Sequence, residues 1–214
     1  LTAYEIGAQL GFLERKVQLN LAGFYYDYKD KQISTYFADP IYTALARLDN
    51  VPKSEAYGVE GELTIRPTNA FTLIGNALWL KTRIKDYIGT NAAGQTQNFA
   101  GARFIYSPEL TLSGTALIDQ PVSDRLNVTA NANVRYQSRQ TTVFEINPLY
   151  DIKAYTTVNA GIGVKANDDS WAFSLWARNL FDQYYWTAVA SNANVVVRFP
   201  GQTRTWGATA AFRF

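Results

Sequence analysis

The chain has 214 residues, a formal net charge of +2 and 47% hydrophobic residues, yet no apolar run approaches the roughly 20 residues that a membrane helix needs. So small a net charge, with no basic patch interleaved with aromatics, excludes a nucleic-acid partner. His, Cys and Met are all absent, which removes the commonest transition-metal ligands and nucleophiles, while aromatics reach 14% and Tyr leads them with 14 residues.

Alternation of apolar and polar side chains with period two is the dominant pattern, and it predicts strands with one apolar face. Nine strands are predicted, over 3–13, 16–28, 55–66, 70–86, 104–118, 124–138, 154–166, 170–181 and 202–214. In the second, Val17, Leu19, Leu21 and Tyr25 oppose Gln18, Asn20 and Tyr26. In the third, Tyr57, Val59, Leu63 and Ile65 oppose Glu60, Glu62, Thr64 and Arg66. The sixth alternates most cleanly, with Leu126, Val128, Ala130, Ala132, Val134 and Tyr136 against Asn127, Thr129, Asn131, Asn133 and Arg135. The seventh sets Val158, Ala160, Ile162 and Val164 against Asn159, Gly161, Gly163 and Lys165. The last sets Trp206, Ala208, Ala210, Phe212 and Phe214 against Thr205, Thr209 and Arg213.

A soluble β-sandwich alternates too, so strand and loop lengths must decide. These strands run about ten residues or more, the length a tilted strand needs to cross a bilayer, whereas soluble strands average roughly five to six. Connections alternate between short ones at Glu14-Arg15, 67–69, 119–123 and 167–169 and long ones at 29–54, 87–103, 139–153 and 182–201. Aromatics gather at strand ends: Phe24, Tyr25, Tyr26, Tyr28, Trp79, Tyr87, Phe104 and Tyr106 toward the long loops, and Phe12, Phe71, Trp171, Phe212 and Phe214 toward the short turns. Together these features predict an all-β, antiparallel transmembrane β-barrel with tight periplasmic turns and long outer loops. Glu60, Glu62, Arg66 and Arg135 are then expected to face the lumen.

Nine antiparallel strands would leave the first and last parallel, and an open sheet would leave unpaired backbone groups in lipid at several kcal/mol each. Further N-terminal strands are therefore expected, with residues 1–214 as the C-terminal portion of the barrel. The chain begins at Leu1 and carries no charged start, apolar core and cleavage site of the signal-peptide type.

No enzyme chemistry is predicted. Glu60 and Glu62 lie on one strand face, roughly 7 Å apart, without an opposing carboxylate, so glycosidase geometry is not met. The stretch Gly89 to Thr96 has almost the spacing of a phosphate-binding loop, but Gln95 stands where Lys is required and no helix follows. Gly161 and Gly163 lack the third glycine and helix of a nucleotide fingerprint. Ligand recognition is expected in the long loops instead, through Tyr36, Phe37 and Tyr42 in the first, Phe144 and Tyr150 in the third, and Trp186 and Arg198 in the fourth. Rings and a guanidinium can grip a planar anionic chelate; the alternative role, for Tyr184 and Tyr185 above all, is to stabilise the loops.

From Tyr4 onward the chain resembles the C-terminal barrel half of TonB-dependent receptors. The resemblance rests on an ordered set of motifs: Tyr4-Glu5-Ile6-Gly7, Phe24 to Asp30, Tyr57-Gly58-Val59-Glu60-Gly61-Glu62-Leu63, Ser107-Pro108-Glu109, Arg178-Asn179-Leu180-Phe181-Asp182-Gln183-Tyr184-Tyr185 and Gly201-Gln202-Thr203-Arg204-Thr205-Trp206-Gly207, ending on an aromatic at Phe214. Thr203 stands where the family usually has Pro, and Asn98 to Ile105 is atypical. The resemblance implies a barrel of about 22 strands filled by a plug. It also implies active import of a ferric siderophore or similar iron complex, without cofactors and energised through TonB, which would engage the missing N-terminal region. Partners so implied are the iron complex, outer-membrane lipid and the barrel-assembly machinery, with Phe212 and Phe214 as the sorting signal. The alternatives are a passive porin-like barrel or one for cobalamin, haem or sugar.

Overall fold

The computed structural model describes residues 1–91, 93–192 and 195–213, without the side chains of 43, 44, 191 and 192. Its strands are β1 (Thr2–Phe12), β2 (Val17–Asp39), β3 (Thr43–Thr68), β4 (Phe71–Asp86), β5 (Ile88–Thr90), β6 (Thr96–Asn98), β7 (Leu110–Pro121), β8 (Leu126–Gln137), β9 (Gln140–Thr141), β10 (Asp151–Ile152), β11 (Tyr155–Ala166), β12 (Trp171–Arg178), β13 (Trp186–Asn192), β14 (Val195–Pro200) and β15 (Thr205–Phe212). Among the described residues no helix is long and apolar enough to cross a membrane.

The long strands β1, β2, β3, β4, β7, β8, β11, β12 and β15 form one antiparallel meander in chain order, which is not closed between β1 and β15. Register carries the alternation from strand to strand. Val134 pairs with Val158, Ala132 with Ala160 and Val128 with Val164, while Asn133 pairs with Asn159 and Asn127 with Lys165. On these strands like faces like, which gives one side of the sheet an apolar surface. Ile6 (80%), Ile162 (60%) and Trp206 (82%) are exposed on it. A monomeric soluble protein does not present so wide an apolar sheet, whereas a bilayer would cover it.

The short-turn end is built by local backbone chemistry. Leu13, Glu14 and Arg15 all take left-handed conformations (φ 52°, 55° and 68°), and Lys16 N–H closes the turn on the Leu13 carbonyl at 3.0 Å. Asp169 does the same between β11 and β12 (φ 55°), donating its N–H to Ala166 at 3.0 Å.

The long-loop end departs from the sequence expectations in several places, among them the segment 87–103, expected to be a loop, which contains the hairpin β5–β6. The segment 29–54, expected to be a loop, continues as strand: β2 and β3 stay paired from Lys31–Val51 out to Asp39–Thr43. Residues 104–109, expected to be strand, are irregular, and β7 starts only at Leu110. Tyr106 there has φ 53° and Pro108 has no N–H for a ladder. The segment 182–201 contains the hairpin β13–β14, and β15 starts at Thr205 instead of 202.

The two faces of the β2–β3 ribbon exchange at Asp30, which is left-handed (φ 53°) between the Lys29–Lys53 and Lys31–Val51 pairs. Below it Tyr28 faces the polar side; three residues on, Lys31 stands on that same side, its ammonium 4.4 Å from the Tyr28 ring. Strict alternation would put residues three apart on opposite faces.

Candidate functional site

The outer half of the ribbon is held by a small apolar core. Val51, Ile84, Tyr87 and Phe99 are buried together, with Ile33, Ala102, Phe104 and Phe144 packed against them. The rings of Tyr87 and Phe99 stack at 5.7 Å, and Phe144 meets Phe99 edge-on at 5.9 Å. The chain leaving β4 crosses the ribbon here: β4 pairs with β3, whereas β5 pairs with β2 through Thr90–Tyr36. Tyr87 sits at the crossing. Burial, first, and the neighbouring Asp49 carboxylate raise its phenol pKa. Burial works to raise the Asp49 pKa, but bonds from Arg47, the Asn50 N–H and Tyr87 outweigh it and hold the carboxyl below its ordinary value.

Two hollows flank this core. One of about 300 Å³ is lined by Lys31, Ile33, Ile84, Phe104 and Phe144. The other, of about 150 Å³, is lined by Thr35, Tyr36, Phe99, Thr142, Phe144 and Glu145. Tyr36 and Phe144, predicted from different loops, therefore share a wall. Burial, Glu145 and Tyr150 raise the Tyr36 phenol pKa, in that order, and Tyr150 is held beside this hollow by its carbonyl, which accepts from the N–H and the hydroxyl of Thr142, both at 3.2 Å. Tyr150 closes the 3-10 turn Pro148–Tyr150, capped by Asn147. Arg198 donates from Nη2 to the Leu149 carbonyl at 3.1 Å and lies 4.5 Å over the Trp186 ring. Five of the seven predicted loop residues thus fall in two adjoining groups. Phe37 lies in the pair Phe37–Leu45 and lines neither hollow. Tyr42 is 69% exposed at the hairpin tip, its N–H bonded to the Asp39 carboxylate at 2.7 Å. Lys31 and Glu145 were not among the residues expected; neither lies in a periodic pattern or an aromatic cluster that would mark it.

On the polar side, Glu60 and Glu62 line a hollow of about 670 Å³ with Gln9, Asn20, Asn76 and Ser113. Arg135 is opposite Ser113 and Thr157 on the same side. Arg66 is at the short-turn end, where its N–H donates to the Lys16 carbonyl at 2.7 Å. Phe212 pairs with Trp171 and is 71% exposed on the apolar side, whereas Phe214 lies outside the described residues. Among the described residues there is no cluster of three or more His, Cys, Asp or Glu suited to a metal.

Two sequence motifs form one unit at the base of the last loop. Asn179, buried and left-handed (φ 47°), donates from Nδ2 to the carbonyls of Gln183 and Gln202, both at 2.9 Å, and accepts from Gln183 N–H at 2.9 Å. Asp182 accepts from Arg204 N–H at 2.8 Å. Tyr185 stacks on Tyr155 at 4.3 Å, and a Cβ at Gly201 would fall 2.1 Å from the Tyr185 ring. These residues clasp the loop at its base, where it leaves β12 and enters β15.

Comparison with known proteins fits this geometry. Residues 2–180 match the family described as TonB dependent receptor-like, beta-barrel. Comparison with curated protein sequences gives no match. Among solved structures, the ferric yersiniabactin uptake receptor FyuA from Yersinia pestis superposes with a TM-score of 0.79 at 21% identity, over 99% of this chain and 29% of that one. The siderophore receptor PiuA from Acinetobacter baumannii gives 0.71 at 19%, over 97% and 27%. The copper transporter OprC gives 0.71 at 13%, over 99% and 30%. At such identities the likeness is one of fold, and this chain spans less than a third of each of those structures. With the family matched over most of its length, the chain belongs to the TonB-dependent receptor β-barrel family, whose members are β-barrels of the bacterial outer membrane.

Proposed function

We propose that residues 1–214 form the C-terminal portion of the barrel of an outer-membrane receptor that imports a ferric siderophore or similar iron complex, energised through TonB. Carrying this reading is the grouping of Tyr36, Phe144 and Tyr150 beside the Trp186–Arg198 stack, at the end of the ribbon away from the short turns. Rings and one guanidinium there suit a planar anionic chelate. The whole chain lacks His, Cys and Met, so its donors are oxygens and amides, and iron held by a chelator needs no more. Glu60, Glu62, Arg66 and Arg135 would face the lumen, Phe37 and Tyr42 would extend the recognition surface, and Phe212 and Phe214 would be read by the assembly machinery.

Uptake of radiolabelled iron supplied as single siderophores, in cells carrying or lacking the gene, tests the proposal. Uptake of at least one chelate should vanish with the gene and fall with Arg198→Ala. Unchanged uptake of every iron chelate would overturn it. A bare-metal cargo is the second reading, raised by the fold shared with a copper transporter. Gene-dependent uptake of copper salts, without a chelator, would favour that one.

A further inference from the structure

Ser54 is fully buried, yet its hydroxyl has no hydrogen-bond partner among the described residues. Register places it between Tyr28 of β2 and Ile84 of β4, on the polar side of the ribbon. A buried hydroxyl without a partner has given up its bonds to water and gained none in return, so such groups are uncommon. This one lines the hollow of about 300 Å³ beside the Val51–Ile84 core.

The charged group of that wall is Lys31. With the faces exchanged at Asp30, it stands on the side of Tyr28, its ammonium 4.4 Å from the Tyr28 ring and 4.9 Å from that of Phe104. It makes no ion pair among the described residues. Glu5 and Glu60 line an adjoining hollow of about 350 Å³ that shares Lys31 and Phe104, but neither carboxylate pairs with the ammonium. Ser107, also in the lining, is already committed to the Ile105 carbonyl at 3.2 Å. Ile33, Val51, Ile84, Phe104 and Phe144 make the rest of the wall largely apolar.

An ammonium and an unpartnered hydroxyl therefore line one apolar hollow. Two donors and a single positive charge match the two oxygens and single negative charge of a carboxylate. A phosphate would bring further oxygens and charge against apolar walls that cannot meet them. The volume suits a substituted aromatic ring, since a cavity of about 150 Å³ already takes benzene.

We propose that this hollow binds an aromatic ring bearing a carboxylate, the ring lying against Ile84, Phe104 and Phe144 and the carboxylate accepting from Lys31 Nζ and Ser54 Oγ. Phe144 also walls the Tyr36 hollow, which makes the acid an arm of the chelate gripped there. For that origin, though not for the binding itself, the proposal rests on the import reading.

Titration of p-fluorobenzoate into the full receptor in detergent, followed by fluorine NMR, tests it. The wild type should bind it, and p-fluorobenzyl alcohol, a similar ring without the charge, should bind at least ~10-fold more weakly. Lys31→Gln should weaken benzoate binding ~10- to 30-fold, Lys31→Arg should retain it, and Ser54→Ala should weaken it ~3- to 10-fold. Ser54→Ala should leave the melting temperature of the unliganded receptor unchanged or raised, because the hydroxyl it removes bonds nothing. A lowered melting temperature would make Ser54 a structural residue and overturn its role here. No benzoate binding at millimolar concentration, or equal affinity in the wild type and Lys31→Gln, would overturn the proposal. Benzoate binding beside iron uptake that does not depend on the gene would instead overturn the import reading and leave the site standing.

Discussion

Tyr87 and Thr35, 52 residues apart in sequence, bring their hydroxyl oxygens within 3.1 Å of each other inside the outer half of the β2–β3 ribbon. The same Tyr87 hydroxyl lies 3.1 Å from the Asp49 carboxylate. One phenol proton serves the carboxylate, and the Thr35 hydroxyl completes the bridge. Two strands and the crossing chain are thereby fastened at one atom. Tyr87→Phe keeps the packing against Phe99 but leaves a carboxylate and a hydroxyl short of a partner, at a cost of about 1–3 kcal/mol. Hydrogen exchange should quicken across β5 and the outer halves of β2 and β3, with no change in β8 or β11. Uniform protection in the variant would refute the fastening.

The pH dependence follows from Asp49, whose carboxyl is held below its ordinary value in the folded ribbon. A lowered folded pKa gives stability that is complete above the unfolded value, near 4, and is lost as pH falls through the folded value. Protection of the outer ribbon should be flat from neutral pH down to about 5 and decline below about 4. In Asp49→Asn that acid-side decline should be reduced, which exchange measured at stepped pH would detect.

Asn179 gives a sharper test. Asn179→Asp preserves size and the acceptor for Gln183 N–H but removes two donors and sets a carboxylate against the Gln183 and Gln202 carbonyls. A cost of about 2–4 kcal/mol is expected. The last loop should become sensitive to protease while the barrel keeps its heat-resistant mobility in detergent gels. Wild-type resistance would mean the clasp is dispensable.

Two glycines should behave oppositely. A Cβ on Gly58 would stand 2.2 Å from the Trp79 carbonyl and 2.9 Å from the Phe24 ring, whereas one on Gly75 meets nothing within 4 Å. Gly58→Ala should destabilise by about 3 kcal/mol or more and impair assembly, and Gly75→Ala should be neutral. The folded fraction on a cold detergent gel separates the two.

The sequence was most legible where one rule governed. In β8 and β11 apolar and polar side chains alternate without a break, so strand limits and faces followed within a residue or two. It misled above Lys29, because the exchange of faces at Asp30 breaks the period on which strand recognition depends. The start of β7 was read too early for a related reason: Phe104 and Ile105 look like strand residues, yet Phe104 N–H bonds the Thr82 hydroxyl at 2.9 Å instead of a ladder. Aromatic and arginine side chains in the loops pointed to Tyr36, Phe37, Tyr42, Phe144, Tyr150, Trp186 and Arg198, of which all but Phe37 and Tyr42 come together. Their grouping did not follow from the sequence, since it depends on a crossing chain and on contacts such as that of Arg198 with Leu149, 49 residues away.

The left-handed Asp30 also partitions the ribbon for evolution. Substitutions nearer the short turns must satisfy oil on one side and water on the other at every second position. Beyond Asp30 the sides have traded places and a private core of four residues takes over, so substitutions in the outer ribbon answer to that core and not to the alternation of the strands below it.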